Sequence, residues 1–98
     1  MRIALGVEYN GSQYHGWQNQ PGLNTVQAYL EKALSTVAAH EVKVTCAGRT
    51  DTGVHATNQI IHFDTINQRH PKSWIHGANR YLPQDISVRW VKEVSDDF

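Results

Sequence analysis

Arg49 and Asp51 stand two residues apart between Gly48 and Gly53, inside the stretch Cys46-Ala47-Gly48-Arg49-Thr50-Asp51-Thr52-Gly53-Val54-His55-Ala56. Residues two apart in extended backbone point the same way, so the guanidinium and the carboxylate can project together. A guanidinium beside a carboxylate favours the ionised form and orients it through charge-assisted hydrogen bonds. The glycines permit a tight turn and close approach of a ligand to the backbone. An ionised, unobstructed carboxylate is what a carboxylate nucleophile requires. The same spacing also describes a loop-capping Asp in a surface ion pair, and spacing alone leaves both readings open.

A second polar segment runs from Asn10-Gly11-Ser12 to Pro21-Gly22 and carries Tyr14, His15 and Trp17 among glycines and amides. Amides and aromatics in a loop can meet a base or a sugar; Trp17 folded back as a hydrophobic anchor is the competing reading. Asp51-Thr52-Gly53 is also the Asp-Thr-Gly of aspartic proteases. Those enzymes set it in a nearly all-β chain and pair two aspartates sharing a proton, which Arg49 would disfavour. The histidines (His15, His40, His55, His62, His70, His76) have no metal-hydrolase spacing. Cys46 is the single cysteine, which excludes an intrachain disulfide and a cysteine-based metal site. Phosphate loop, serine elbow and dinucleotide fingerprint are all missing.

The chain that must position these groups has 98 residues, 40% hydrophobic and 18% charged, which suits one globular domain. Nine Lys and Arg balance nine Asp and Glu. A domain that grips nucleic acid by overall charge is thereby excluded, and any RNA or DNA role rests on local patches or on charge outside the chain. No apolar run reaches membrane-spanning length, and Met1-Arg2 leads directly into a strand pattern. The expectation is a soluble, cytoplasmic protein.

Ile3, Leu5, Val7 and Tyr9 alternate as a half-buried strand. Asn24, with Gln27 three residues on, predicts a capping box for an amphipathic helix over 25–39, whose apolar face is Val26, Leu30, Ala33, Leu34 and Val37. Val42, Val44 and Cys46 predict a second strand ending at Gly48. A third strand is predicted over 58–64, with Ile61 and Phe63 on one face and Ile60 and His62 on the other. Pro71 suits the first turn of a second helix carrying Trp74, Ile75, Ala78 and Leu82. Gly77 inside that helix costs about 1 kcal/mol against Ala, and Pro83 stops it. Ile86, Val88 and Trp90 alternate in a fourth strand. The order β-α-β-β-α-β predicts an α+β fold of the ferredoxin-like, split βαβ type: a four-stranded antiparallel sheet with both helices on one face.

The stretch Ala47 to Ala56 closely resembles the active-site signature of the tRNA pseudouridine synthase A family. Arg2 to Ser12, Gly16-Trp17-Gln18, Thr25-Val26-Gln27, Gln59 to Asp64, Asn79 with Leu82-Pro83, and Ile86 to Trp90 agree with that family in order, so the similarity covers essentially the whole chain. The resemblance implies isomerisation of uridine to pseudouridine in the tRNA anticodon stem-loop, with no metal and no organic cofactor. Asp51 matches the essential aspartate that attacks the target nucleotide, after which the ribose–N1 bond breaks and the base rejoins through C5. Arg49, Gly53, His55, Trp17 and Gln18 fall at substrate-binding positions. The resemblance further implies a homodimer, and a second domain that completes the cleft. Residues 1–98 are accordingly expected to be the N-terminal synthase domain without that second domain, and inactive alone. The alternative is a non-catalytic ferredoxin-like module that binds RNA or docks a subunit. The absence of paired exposed aromatics on the central strands argues against autonomous RNA binding.

Overall fold

Ile3, Leu5, Val7 and Tyr9 line one side of β1 (Arg2–Tyr9) in a computed structural model that describes residues 1–10, 25–46, 56–95 and 97. All four are buried, and so are Ala4 and Gly6 between them. A strand covered on both faces belongs in the middle of a sheet. β1 lies between β3 (Ala56–Asp64) and β4 (Ile86–Val94), antiparallel to each. With β2 (Thr45–Cys46) on the outer edge of β3, the sheet order is β2-β3-β1-β4. Two helices, α1 (Val26–Ala38) and α2 (Pro71–Tyr81), complete the expected α+β split βαβ order.

Both helices pack on the same side. Val26, Leu30, Leu34 and Ala38 of α1 and Trp74 and Ala78 of α2 share one core with the apolar row of β1 and with Ile61, Phe63, Ile86 and Val88. Phe63 meets Trp74 edge-on, with ring centroids 5.1 Å apart. Complete burial of a side chain such as Leu or Phe contributes about 1.5–3 kcal/mol. Gly77 leaves room for the neighbouring helix, since a Cβ there would stand 2.9 Å from Val37 Cγ2. Its unfavourable helix propensity is set against that clash.

The helix ends differ from expectation in one respect. Thr25, not Asn24, caps α1: its side chain accepts from the Ala28 N–H at 3.3 Å. The Gln27 amide donates to Glu31 Oε2 at 3.1 Å. Asn24 itself lies outside the described residues. At the other end Ala39 is left-handed, with φ 62°, and its N–H bonds the Ser35 carbonyl. A left-handed alanine costs about 1–2 kcal/mol that glycine avoids, less the entropy glycine loses on folding. Ala39→Gly is therefore expected to raise stability by about 0.5–1 kcal/mol, read as a higher urea midpoint.

The second strand is shorter than the alternation of Val42, Val44 and Cys46 predicts. Val42 and Val44 are buried, but neither joins the ladder. Their amides turn to α1 instead: Val42 N donates to Ser35 Oγ at 2.8 Å, and Val44 N donates to Glu31 Oε2 at 3.0 Å. Helix side chains satisfy these donors, so the backbone needs no strand partner there. Glu31 is buried in consequence, its carboxylate holding two donors.

Candidate active site

Asp51, Arg49, Gly53 and His55 fall in segment 47–55, and Trp17 and Gln18 in segment 11–24; all six lie outside the described residues. The described frame shows where those segments are rooted. Segment 11–24 follows Asn10, whose N–H bonds the Asp85 carbonyl at 2.9 Å. Segment 47–55 leads into Ala56, which pairs with Tyr9, and Tyr9 pairs on its other side with Ile86. The β1 end of the first segment and the β3 end of the second thus adjoin on neighbouring strands, where β4 begins. The sequence places an Arg-Asp loop and an amide-aromatic loop far apart in the chain; the sheet brings their roots together.

Both neighbours of β1 bulge beside these roots. From Val7 to Tyr9 the paired residues on β3 run from Gln59 to Ala56, which leaves β3 one residue longer. From Gly6 to Val7 the paired residues on β4 run from Trp90 to Val88, which leaves Arg89 extra. Bulges of this kind bend a strand, tighten its twist and re-aim side chains. The one on β4 overturns the simple alternation of Ile86, Val88 and Trp90. Ile86 and Val88 face the core, Arg89 absorbs the extra step, and Trp90 moves to the open face while Val91 packs against the core.

Trp90 lies directly over Gly6. A Cβ on Gly6 would come within 2.0 Å of Trp90 Nε1 and 2.3 Å of Cε2. Beside the indole, Ala4, Ile60, Lys92 and Val94 line a depression of about 450 Å³ on the open face. Two cations of the sheet have acidic partners, while Lys92 forms no ion pair among the described residues. Arg2 grips Asp64 with two hydrogen bonds, Nε to Oδ1 at 2.9 Å and Nη2 to Oδ2 at 3.2 Å, and Arg89 approaches Glu8 at 3.8 Å. The Arg2 hydrogen bond holds the Asp64 carboxyl below the ordinary carboxylate range.

The bulge on β4 is held from the helix layer. Asn79 of α2 donates from Nδ2 to the Val88 carbonyl at 3.0 Å and accepts at Oδ1 from the Val88 N–H at 2.7 Å. One side-chain amide thus serves both polar groups of the residue preceding Arg89. Losing it leaves a half-buried donor and acceptor in search of partners, at about 1–3 kcal/mol. Asn79→Ala is expected to cost about 2 kcal/mol in urea unfolding, more than a typical exposed helix substitution. On the other flank, Gln59 Nε2 donates to Cys46 Sγ at 2.8 Å, tying β3 to the last residue before segment 47–55.

Gly6 had a signal in the sequence, because an isolated glycine inside a strand pattern marks a bulge or a close approach. Asn79 stood among the positions that agree with the family, but no local pattern pointed to its role, since its partner sits across a turn. Among the described residues, no group of three or more His, Cys, Asp or Glu is placed to hold a metal ion, and no helix is long and apolar enough to cross a membrane.

Comparison with known proteins supplies what the frame lacks. A family profile described as tRNA pseudouridine synthase matches residues 6–98. Over all 98 residues the chain is 63% identical to a protein of Legionella pneumophila (strain Corby) named tRNA pseudouridine synthase A. It is 61% identical over 98 residues to the protein of the same name from Vibrio parahaemolyticus, and 60% over 97 residues to that of Buchnera aphidicola subsp. Schizaphis graminum. The chain spans 37% of the length of each of these relatives.

Proposed function

We infer a uridine isomerase from one premise: this chain belongs to the tRNA pseudouridine synthase family. The match over residues 6–98 carries the inference, because it includes the whole Gly48 to His55 signature. The reaction is conversion of uridine to pseudouridine in the anticodon stem-loop of tRNA. The nucleotide must leave the stack first, since C1′ and C5 are hard to reach inside a stem. Asp51 is the nucleophile, and Arg49 keeps it ionised and oriented. Gly53, His55, Trp17 and Gln18 hold the extruded nucleotide.

The atoms balance without a cofactor. The bond between C1′ and N1 breaks, a bond between C1′ and C5 forms, the C5 proton leaves and N1 gains one. Substrate and product are isomers, so no oxidant, reductant or donated group enters. In this reading the chain acts as the N-terminal catalytic domain of a homodimeric, cytoplasmic enzyme whose second domain closes the site; its spanning 37% of its relatives bears on the second domain alone. Its balanced charge agrees, since a polyanionic substrate then relies on local patches and on positive charge elsewhere in the assembly. Tritium at uridine C5 of an unmodified tRNA tests the reading. Release to water by the gene product carrying this chain supports it, and retention at every anticodon-arm uridine overturns it.

A further inference from the structure

On the helix layer every exposed charged residue is a cation. On the sheet, Arg2 is matched by Asp64 and Arg89 by Glu8, while Lys92 forms no ion pair among the described residues. Across α1 and α2 the exposed cations are Lys32, Lys72 and Arg80, and the single carboxylate is Glu31, buried and already holding two donors. Just before α2, Arg69 adds a positive charge whose guanidinium is already engaged. It donates from Nε to the Val37 carbonyl at 3.2 Å, from Nη2 to the Ala38 carbonyl at 3.4 Å and from Nη1 to the Gln68 carbonyl at 3.0 Å, which fixes it at the end of α1. Among the described residues this leaves Arg80 as the guanidinium free to turn to a ligand there. Among the described residues, neither Lys72 nor Arg80 forms an ion pair.

Between the helices runs an open groove of about 490 Å³, lined by Thr36, Arg69, Ser73, His76, Arg80 and Tyr81 over a floor where Gly77 meets Val37. Among the described residues no carboxylate lines it. Tyr81 is 54% exposed. A guanidinium matches a phosphate through paired hydrogen bonds, hydroxyls donate to phosphate oxygens, and an exposed ring offers a face for a base or ribose. The groove is open rather than enclosed, and Thr36, Ser73 and Tyr81 add hydroxyls to Arg69 and Arg80 along it.

We propose that this groove between α1 and α2 is an RNA contact, taking the sugar–phosphate backbone of the tRNA on the helix side of the sheet. The proposal rests on the tRNA substrate inferred above. It locates a local basic patch in a chain whose net charge is zero, and it needs no residue of segments 11–24 or 47–55.

The test is tRNA affinity across a salt series, using an unmodified transcript and the gene product carrying this chain. Arg80→Glu is expected to weaken binding roughly threefold to fivefold near 0.1 M salt and to make the log–log salt slope shallower by roughly one. Tyr81→Ala is expected to weaken binding without changing the slope. Circular dichroism should match the parent, because both side chains are exposed. Affinity and slope equal to the parent's would overturn the proposal, and so would a parent that binds no tRNA. Displacement of the transcript by a polyglutamate peptide of equal charge would assign the groove to an acidic protein instead. The two readings fail separately. Tritium release that survives Asp51→Asn removes the catalytic reading and leaves the groove to the binding data. Binding indifferent to the groove, with release still dependent on Asp51, removes the groove alone.

Discussion

Asp51→Asn is expected to lower tritium release from C5-labelled tRNA by about ten-thousand-fold or more, the scale on which loss of a nucleophile acts. Asparagine keeps the size and the acceptor oxygen of the aspartate, so a loop held by that side chain keeps its shape. It loses the negative charge and the nucleophilic oxygen. This separates the two readings that spacing leaves open, since asparagine caps a loop or helix about as well as aspartate does. If Asp51 merely capped its loop, Asp51→Asn would retain most of the activity and Asp51→Ala would lose more. If Asp51 is the nucleophile, both substitutions abolish release, and tRNA binding by the Asn variant is expected to remain. Equal activity of parent and Asn variant would remove Asp51 from the chemistry.

Gly6→Ala is expected to destabilise the fold by about 3 kcal/mol, although alanine is ordinarily the better strand residue. Removing a glycine from a strand should gain under about 1 kcal/mol. Against that stands a methyl group placed 2.0, 2.3 and 2.6 Å from three atoms of the Trp90 ring system. The indole is rigid, and the strands beneath it are paired on both sides of β1, so relief requires Trp90 to leave its place or β4 to shift. Overpacking of this kind costs about 1–3 kcal/mol and occasionally more, which outweighs the propensity gain. The stability of a domain of this size is about 5–15 kcal/mol, so the loss shows plainly as a lower urea midpoint. Trp90→Ala in the same chain should recover much of it, because the two changes act on one contact and cannot be additive. A Gly6→Ala chain as stable as its parent would show that the indole does not rest on Gly6.

What was legible in the chain was whatever repeats locally. The period of β1 and the face of α1 follow from residues two, three or four apart, and both survive in the core. The Arg49–Asp51 reading likewise comes from contiguous residues, and both lie outside the described residues. Features defined by a distant partner were not. Glu31 looks like an ordinary polar residue at the margin of an apolar face; its role depends on the Val44 amide thirteen residues away. Arg89 becomes a bulge only through the register of β1 against β4, and so no pattern within residues 86–90 could assign Trp90 to its face. The Asn79 grip on Val88 crosses the turn between α2 and β4 and leaves no periodic trace.

The position of β1 has a consequence for biosynthesis. Among the described strands the earliest in the chain needs partners on both edges, and the later of these partners is β4: Arg2 pairs with Asp64 and with Val94. A nascent chain released as far as α2 can offer β1 its β3 partner, but the other edge, with its row of unpaired amides and carbonyls, stays open until β4 clears the ribosome. Long-range pairing of this kind slows folding and exposes strand edges to other chains. Translational pausing before Ile86 would lengthen that exposure, whereas rapid synthesis through β4 would shorten it.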